Sequence, residues 1–591
     1  MSASIDKNKK VDVDLFTLDI VRDSLLAIGE EMFVALARTS MSPIIYEVLD
    51  YASGLTDAKG NLLTQGNGAT GFIGILTFMV KEIIRKFGDT GKLRPGDILI
   101  LNDPHNGGGT HLSDVGLVMP IFHNDKLVAF SANKAHWTEV GGKDPGSWTV
   151  DATEIFQEGL QFPCVKLFDH GVLNEALVDM IRANVRFPDA SLGDMWAQVA
   201  SLKTGEKRFI ELCDRYGQAL VTAAIERLLD QGETVALKEL AKLPKGVFEA
   251  EDWIDDDGIG NGPFKVKVKV TVTDDKFSCD FRGSHPQVPG PINASLSGLT
   301  SAVRIIFLAV TNPSQDVNDG VFRPLEVIVD KRSIFSSERP AATSTYWETM
   351  LYAADLVWKA LAPVLPNRLT AGHMLSVCGY VLAGRRPDTG ENIIICEPST
   401  GGWGAGQGKD GENAQFCVAD GETFNIPIEV TEARYGVRMT EYSLRTDGAG
   451  AGEYRGGCGA VRGYKVLGDE HYFTGTFGRH KFLPWGLCGG GDGSRNEFQI
   501  VRKDGSIAGV FGKYARFPLY EGDTVRLVTA SGGGFGNPLD RPAEKVVRDV
   551  KNEYITLDQA KDDYGVLIDG DTFEMKGITE ARRVHEERCS R

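Results

Sequence analysis

Residues 264–281 read Phe-Lys-Val-Lys-Val-Lys-Val-Thr-Val-Thr-Asp-Asp-Lys-Phe-Ser-Cys-Asp-Phe. Apolar side chains alternate strictly with lysine or threonine as far as Val272. The chain turns at Asp274-Asp275, and Phe277, Cys279 and Phe281 resume the alternation. A period of two places every second side chain on one face, so each arm is a half-buried strand and the pair is a hairpin. Sheets with one wet face are antiparallel. This stretch therefore predicts antiparallel β structure.

Upstream, residues 170–245 read mainly as long helices. Leu212, Tyr216, Leu220, Ala224 and Leu228 hold helical spacing, and Pro244 and Gly246 close the segment. Leu18, Val21, Leu25, Ile28, Met32 and Leu36 predict an amphipathic helix over 15–39. Residues 42–65 read as strand, Asp-Ala-Lys-Gly turn, strand, and 73–88 as a helix. Asp97–Leu101 is a short buried strand ending at Asn102-Asp103-Pro104. A hairpin follows over Val115–Phe122 and Leu127–Ala132, with Ala135-His136-Trp137 at its end. Downstream, a helix covers about 295–311, short strands joined by glycine loops fill 390–535, and a helical pair spans 543–563. The expected fold is α+β, a large mixed protein with substantial antiparallel β structure and a helical segment at about 170–245. Four regions are expected: an α+β region over 1–165, a helical region over 166–250, an α+β region over 251–390, and a glycine-rich β region with C-terminal helices over 391–591. Without a repeat or flexible linker, these should pack as one body.

The 591 residues include 64 basic and 81 acidic side chains, a net charge of −17. That balance argues against binding driven by nucleic-acid phosphates and against a polybasic membrane anchor. No apolar run approaches the ~18 residues of a transmembrane helix. Residues 1–14 lack the apolar stretch of a signal peptide. Nine cysteines stand singly with no CxxC pair, which reads as reduced thiols packed in the core of a cytoplasmic protein. Glycine is the anomaly: 69 residues, about 12% against a usual ~7%. It clusters at 107–109, 401–411, 448–459, 489–493 and 532–536.

The chemistry starts from what is missing. There is no GxxxxGK[ST] phosphate loop and no GxSxG elbow. GxGxxG matches at 66–71 and 406–411 lack the strand–turn–helix context of a dinucleotide site. Metal ligands are better represented. Four of ten histidines fall between 105 and 136: His105, His111, His123 and His136. His111 and Asp114 share Thr-His-Leu-Ser-Asp, just beyond a buried strand, and the next hairpin brings His136. Two imidazoles and a carboxylate suit zinc, iron or manganese with open positions for water or substrate. Asp50 or Asp57, from the first hairpin, could complete the set. His123 reads as a solvent-facing turn residue. Asn102, Asp103 and His105 either line a pocket or end a strand. Glu429 and Glu432 read as an exposed strand edge, and Arg455 as either a phosphate contact or a turn residue.

Longer blocks carry a resemblance. NDPHNGGGTHLSDVGLVMPIF (102–122), KAHWTEVGG (134–142), CDFRGSHPQVPGPINAS (279–295), NDGVFRPL (318–325), PIEVTEARYGVRMTEYSLRTDGAGAGEYRGG (427–457), SGGGFGNPLDRPAEKVVRDV (531–550) and DDYGV (562–566) resemble the hydantoinase B family, in family order over nearly the whole chain. That family includes the B subunits of ATP-dependent hydantoinases and lactamases, the matching half of 5-oxoprolinases, and subunits of acetone and acetophenone carboxylases.

The resemblance implies that ATP and magnesium bind a separate actin-like A subunit, which accounts for the missing phosphate loop. It implies that His111, Asp114 and His136 hold a divalent transition metal here, with Asp50 the further ligand; these four are the expected catalytic set. Tyr51-Ala52-Ser53 after Asp50 departs from the family's Asp-Phe-Ser pattern. The expected function is the metal-bearing subunit of an ATP-dependent cyclic amide hydrolase of hydantoin, lactam or 5-oxoproline type, working on a substrate phosphorylated by the A subunit. The alternatives are a subunit of an ATP-dependent ketone carboxylase and a non-catalytic scaffold with a structural metal. The expected assembly is a heterotetramer or larger, with the glycine strips at 401–411, 448–459 and 532–536 laid against the partner.

Overall fold

The computed structural model of the chain describes residues 12–66, 68–311 and 317–589. Residues 1–11, and Asn67 within the first GxGxxG match, lie outside them. The fold is α+β, as the hairpin at 264–281 predicts.

A seven-stranded antiparallel sheet forms the first layer. Its order is Leu62–Gln65, Tyr51–Asp57, Lys126–His136, Asp114–His123, Ile98–Leu101, Val165–Asp169 and Val172–Leu173. The strand Ile98–Leu101 shows why an unbroken apolar run appears here. Ile98 and Ile100 join the cluster containing Leu192 and Met195 of helix Pro188–Tyr216, while Leu99 and Leu101 join Leu76 and Val80 of helix Ile75–Phe87. Helices cover both faces, so no position needs to be polar. Helix Leu15–Thr39 packs beside Pro188–Tyr216 over the far end of the sheet. The helical segment is three helices, Glu175–Asn184, Pro188–Tyr216 and Gln218–Leu240.

The alternating hairpin lies in a second sheet, Gly246–Ile254, Phe264–Val272, Phe277–Asp280 and Leu325–Ile328. Lys265, Lys267 and Lys269 are exposed and the alternating apolar residues are buried. The outer strand, Leu325–Ile328, runs parallel to its neighbour. Helix Trp347–Leu361, which no sequence periodicity announces, packs on the strands Gly246–Ile254 and Phe264–Val272.

The C-terminal half contributes a four-stranded antiparallel sheet (Asn392–Glu397, Gly379–Arg385, His471–Thr476, Lys513–Leu519) and a five-stranded one (Val437–Leu444, Ala460–Val466, Thr524–Val528, Glu497–Val501, Ile507–Phe511). Glu429 and Glu432 belong to a helix, Ile428–Tyr435, not to a strand edge. Pro427 precedes it, and Gly436 closes it in the left-handed conformation (φ 59°) that an L side chain resists.

The glycine strips overturn the expectation that they meet a second polypeptide. They are largely buried and bonded to one another. The Gly532 N–H donates to the Gly457 carbonyl and the Gly450 N–H to the Gly532 carbonyl, each at 2.9 Å. The Gly534 N–H donates to the Gly491 carbonyl at 2.9 Å. Composition alone does not tell whether the backbone that glycine admits belongs to the same chain. Seven cysteines are buried, while Cys488 and Cys589 are exposed, which corrects the reading of all nine as core. No helix among the described residues is long and apolar enough to cross a membrane.

Candidate metal centre

Three neighbouring strand ends converge on one edge of the seven-stranded sheet. Asp114 opens its strand and pairs in register with His136, the last residue of the adjacent strand. Asp50 immediately precedes Tyr51, which pairs with Ala135, and the His136 N–H donates to the Asp50 carbonyl at 3.0 Å. His111 arrives from the loop before Asp114. Asn102 pins that loop: its Nδ2 donates to the carbonyls of Leu112 (2.7 Å) and Leu160 (2.9 Å), and its Oδ1 accepts from the Phe162 N–H (2.7 Å). Gly108 has φ +72°, and a Cβ there would meet Phe78, so this turn requires glycine.

His111, Asp114 and His136 are all buried, and each offers a ligand atom within 4.8 Å of the others. His111 Nε2 lies 3.2 Å from Asp114 Oδ1. His111 Nδ1 faces the Ser344 carbonyl at 3.1 Å. That nitrogen therefore carries a hydrogen, which leaves Nε2 on the side of the carboxylate. Nδ1 of His136 is buried with no hydrogen-bond partner, which is costly unless something outside the chain takes its lone pair or hydrogen. A His–Asp–His donor set with an orphaned imidazole nitrogen fits a divalent transition ion.

Charge is arranged around the cluster. Lys134 is buried, 3.1 Å from Asp114 Oδ2, hydrogen-bonded to the Thr110 hydroxyl, and over the Phe72 ring. Burial pushes the Asp114 carboxyl up, but Lys134 and His111 outweigh it and hold it well below the usual range. Burial, with the second histidine beside it, lowers His136 to about 3, so its imidazole is neutral across physiological pH. Asp50 goes the other way: burial, then the charges of Asp114 and Asp420, raise it well above its ordinary value. Asp50 lines the same cavity as His111, Asp114 and His136.

That cavity holds about 70 Å³. Trp148 and Trp347 meet edge to face in its wall, with ring centroids 4.7 Å apart. Tyr346 donates to Asp114 Oδ2 at 3.3 Å. Glu397 and Asp420 enter from the C-terminal half. No motif in the sequence points to Tyr346, Trp347, Glu397 or Asp420. Lys134 carried a usable signal that sequence reasoning passed over: it sits two residues before His136 and thus on the same strand face.

Glu158 is a further support. Its Oε1 accepts from the Thr343 and Ser344 N–H groups at 2.6 and 2.7 Å, and so fixes the segment whose carbonyl orients His111. Burial pushes Glu158 up to about 8, so it is protonated at neutral pH and glutamine is a close substitute. Glu158→Ala should weaken metal affinity by ~10–100-fold while Glu158→Gln stays within a few-fold. A metal titration checks this, and unchanged affinity in the alanine variant would discard the link. A carboxyl raised on folding stabilises fully below its unfolded pKa and loses that contribution as pH rises through about 8. Relative to Glu158→Gln, wild type should therefore lose stability as pH rises from about 4.5 to about 8 and change little beyond it.

The other candidates lie elsewhere. Asp57 is spent on its own turn, accepting from the N–H groups of Lys59 and Asn61 at 2.8 Å, which removes it as an alternative to Asp50. Asp103 pairs with Arg339, and His105 lies between the carbonyls of Ser337 and Ala341. Neither lines the cavity. His123 is not free in solvent: its Nε2 is 2.9 Å from Asp214. Arg455 is buried over the Tyr554 ring. A second His–Asp–Cys group, Asp540, His585 and Cys589, lies near the surface, where His585 bonds to Asp540 at 2.7 Å.

A mixed α+β body with antiparallel sheets and a buried His–Asp–His cluster at converging strand ends defines the class. The Hydantoinase B/oxoprolinase family matches residues 14–538, and the chain belongs to that family. It is 33% identical to the B chain of a putative D-/L-hydantoinase of Pseudomonas sp. (strain NS671), over 97% of this chain and 98% of that protein. It is 31% identical to the beta chain of the caprolactamase of Pseudomonas jessenii, over 97% and 99%. The crystal structure of the ATP-dependent caprolactamase from Pseudomonas jessenii superposes with a TM-score of 0.90, covering 98% of this chain and all of that one at 29% identity. A nucleotide-free acetone carboxylase structure shares the fold, with a TM-score of 0.88 at 19% identity over 97% of this chain and 83% of that one.

Proposed function

We propose that this chain is the metal-bearing B-type subunit of a cytoplasmic, ATP-dependent cyclic amide hydrolase. Its substrate is a ring amide, imide or hydantoin whose oxygen has been phosphorylated by a separate A-type subunit. The observation that carries the reading is the buried His111–Asp114–His136 cluster, with its orphaned His136 Nδ1, at the base of an aromatic-walled cavity. His111, Asp114 and His136, with Asp50 as the further ligand, would hold one divalent ion, zinc, manganese or iron. Such an ion supplies Lewis acidity and a hydroxide near neutral pH. Lys134 keeps Asp114 anionic, the Ser344 carbonyl fixes the His111 tautomer, and Trp148 and Trp347 limit competing water. Overall, a cyclic amide, ATP and two waters give the ring-opened acid, ADP and phosphate. Phosphorylating the amide oxygen turns a poor leaving group into a good one.

Sequence identity to a hydantoinase and a caprolactamase supports the hydrolase over the ketone carboxylase, because likeness to the carboxylase is confined to the fold. A structural zinc normally has cysteine-rich ligands, and none of the cluster residues is cysteine, which weighs against the scaffold. The test is co-expression with an A-type partner in an assembly of heterotetramer size or larger. ADP formation should then be stoichiometric with ring-opened product and lost on chelation. The chain alone should neither bind nor hydrolyse ATP; micromolar binding by calorimetry would reveal a nucleotide site within it.

A further inference from the structure

We infer that Asp540, His585 and Cys589 form a second, exchangeable zinc site at the C-terminal helix. Their ligand atoms lie within 4.8 Å of one another. The group shares no residue with the His111–Asp114–His136 cluster, and all three residues follow the end of the family match at 538. His585 and Cys589 stand four residues apart in helix Glu580–Cys589, so one turn sets the imidazole and the thiol on the same face. Asp540 closes the short turn Pro538–Asp540, which the Asn537 side chain fixes by accepting the Leu539 N–H at 3.0 Å. Buried Arg582 joins helix and turn. It donates to the carbonyls of Arg541, next to Asp540, at 2.8 Å and of Tyr564 at 2.9 Å. The spacing of the three ligands thus does not depend on an ion.

The donor geometry favours a metal over a nucleophile. In a Cys–His–Asp triad the acid and the thiol use opposite ring nitrogens. Here both face the same one: His585 Nε2 lies 2.7 Å from Asp540 Oδ1 and 3.6 Å from Cys589 Sγ. Sulfur, nitrogen and oxygen converge on one point, where an ion can take the place of the hydrogen between Nε2 and the carboxylate. One thiolate, one imidazole and one carboxylate suit zinc, with a fourth tetrahedral position for water. On binding, the thiol proton passes to solvent, the imidazole keeps its hydrogen on Nδ1, and thiolate and carboxylate neutralise the dication. Asp540 and Cys589 are exposed and His585 is half-buried. The ion therefore exchanges with solution, and the buried cluster accounts for the ion that survives purification.

Cobalt(II) reports a thiolate ligand through a near-ultraviolet sulfur-to-metal charge-transfer band, which a His–Asp–His donor set cannot give. Titrated under a phosphine reductant, the full chain carrying His136→Ala should develop that band and saturate it at about one ion per chain, and zinc should displace the cobalt. Adding Cys589→Ser should abolish the band. Adding His585→Ala should weaken affinity ~100-fold or more, since even residues that only orient a ligand are worth ~10–100-fold. Cys488→Ser, at the other exposed thiol, should leave the band intact. No band at saturating cobalt, a band that persists in Cys589→Ser, or one lost in Cys488→Ser would overturn the inference and leave the hydrolase reading untouched.

Discussion

His136→Ala should yield a folded chain that holds no transition metal, and with the A-type partner it should lose at least ~10³-fold in ring opening. The wild type should carry about one ion per chain. The same holds for His111→Ala, for a different local reason. Losing His136 removes the imidazole whose Nδ1 has no partner within the protein. Losing His111 removes a ligand and also leaves the Ser344 carbonyl without its 3.1 Å donor. His111→Ala should therefore cost stability even without metal, by about 1 kcal/mol. His136→Ala should match the chelated wild type more closely. Because metal bound only by the folded state adds stability by mass action, chelation should lower the wild-type melting temperature and leave either variant unmoved. Metal analysis paired with thermal melts decides the matter, and full occupancy in both single variants would end the metal assignment.

Much of this cluster is legible in the sequence because it is local. His111 and Asp114 lie three residues apart, and the hairpin that returns His136 is signalled by apolar runs on either side of His123-Asn124-Asp125. Periodicity likewise exposes the helix Leu15–Thr39 and the strand Phe264–Val272. The opposite wall is not legible. Tyr346 and Trp347 reach the cavity from more than 200 residues away, and Asp420 from still further, and such contacts leave no periodic trace in a chain. Helix Trp347–Leu361 is hidden for a related reason: it is buried almost all round, including Glu348 and Asp355, so it lacks the polar face by which a helix is read. Glu158 looks like an ordinary loop acid, because only the fold brings it to the Thr343 and Ser344 amides.

Gly532→Ala is expected to be severely damaging, costing about 3 kcal/mol or more. A Cβ at this position would lie 2.1 Å from the Trp403 carbonyl oxygen and 2.2 Å from its carbon. Both obstacles are backbone, so no rotamer change relieves the clash. Nor is the backbone free to retreat. Gly532 gives its N–H to Gly457 and takes the Gly450 N–H, while the Gly457 N–H donates to the Trp403 carbonyl at 2.8 Å. A Cβ on Gly402 would in turn meet the Gly457 carbonyl at 2.1 Å. The three strips thus interlock, and moving one breaks hydrogen bonds in the other two. Gly298→Ala is the control. Gly298 lies within helix Leu296–Thr311, and a Cβ there would approach nothing closer than 3.5 Å. Alanine should be neutral or should stabilise by about 0.5–1 kcal/mol, since it removes glycine's entropy in the unfolded chain. Urea unfolding of the two variants against wild type measures the contrast. Equal midpoints for Gly532→Ala and Gly298→Ala would mean that the strips yield easily. Their glycines would then be ordinary turn residues, and the unusual composition would need another cause.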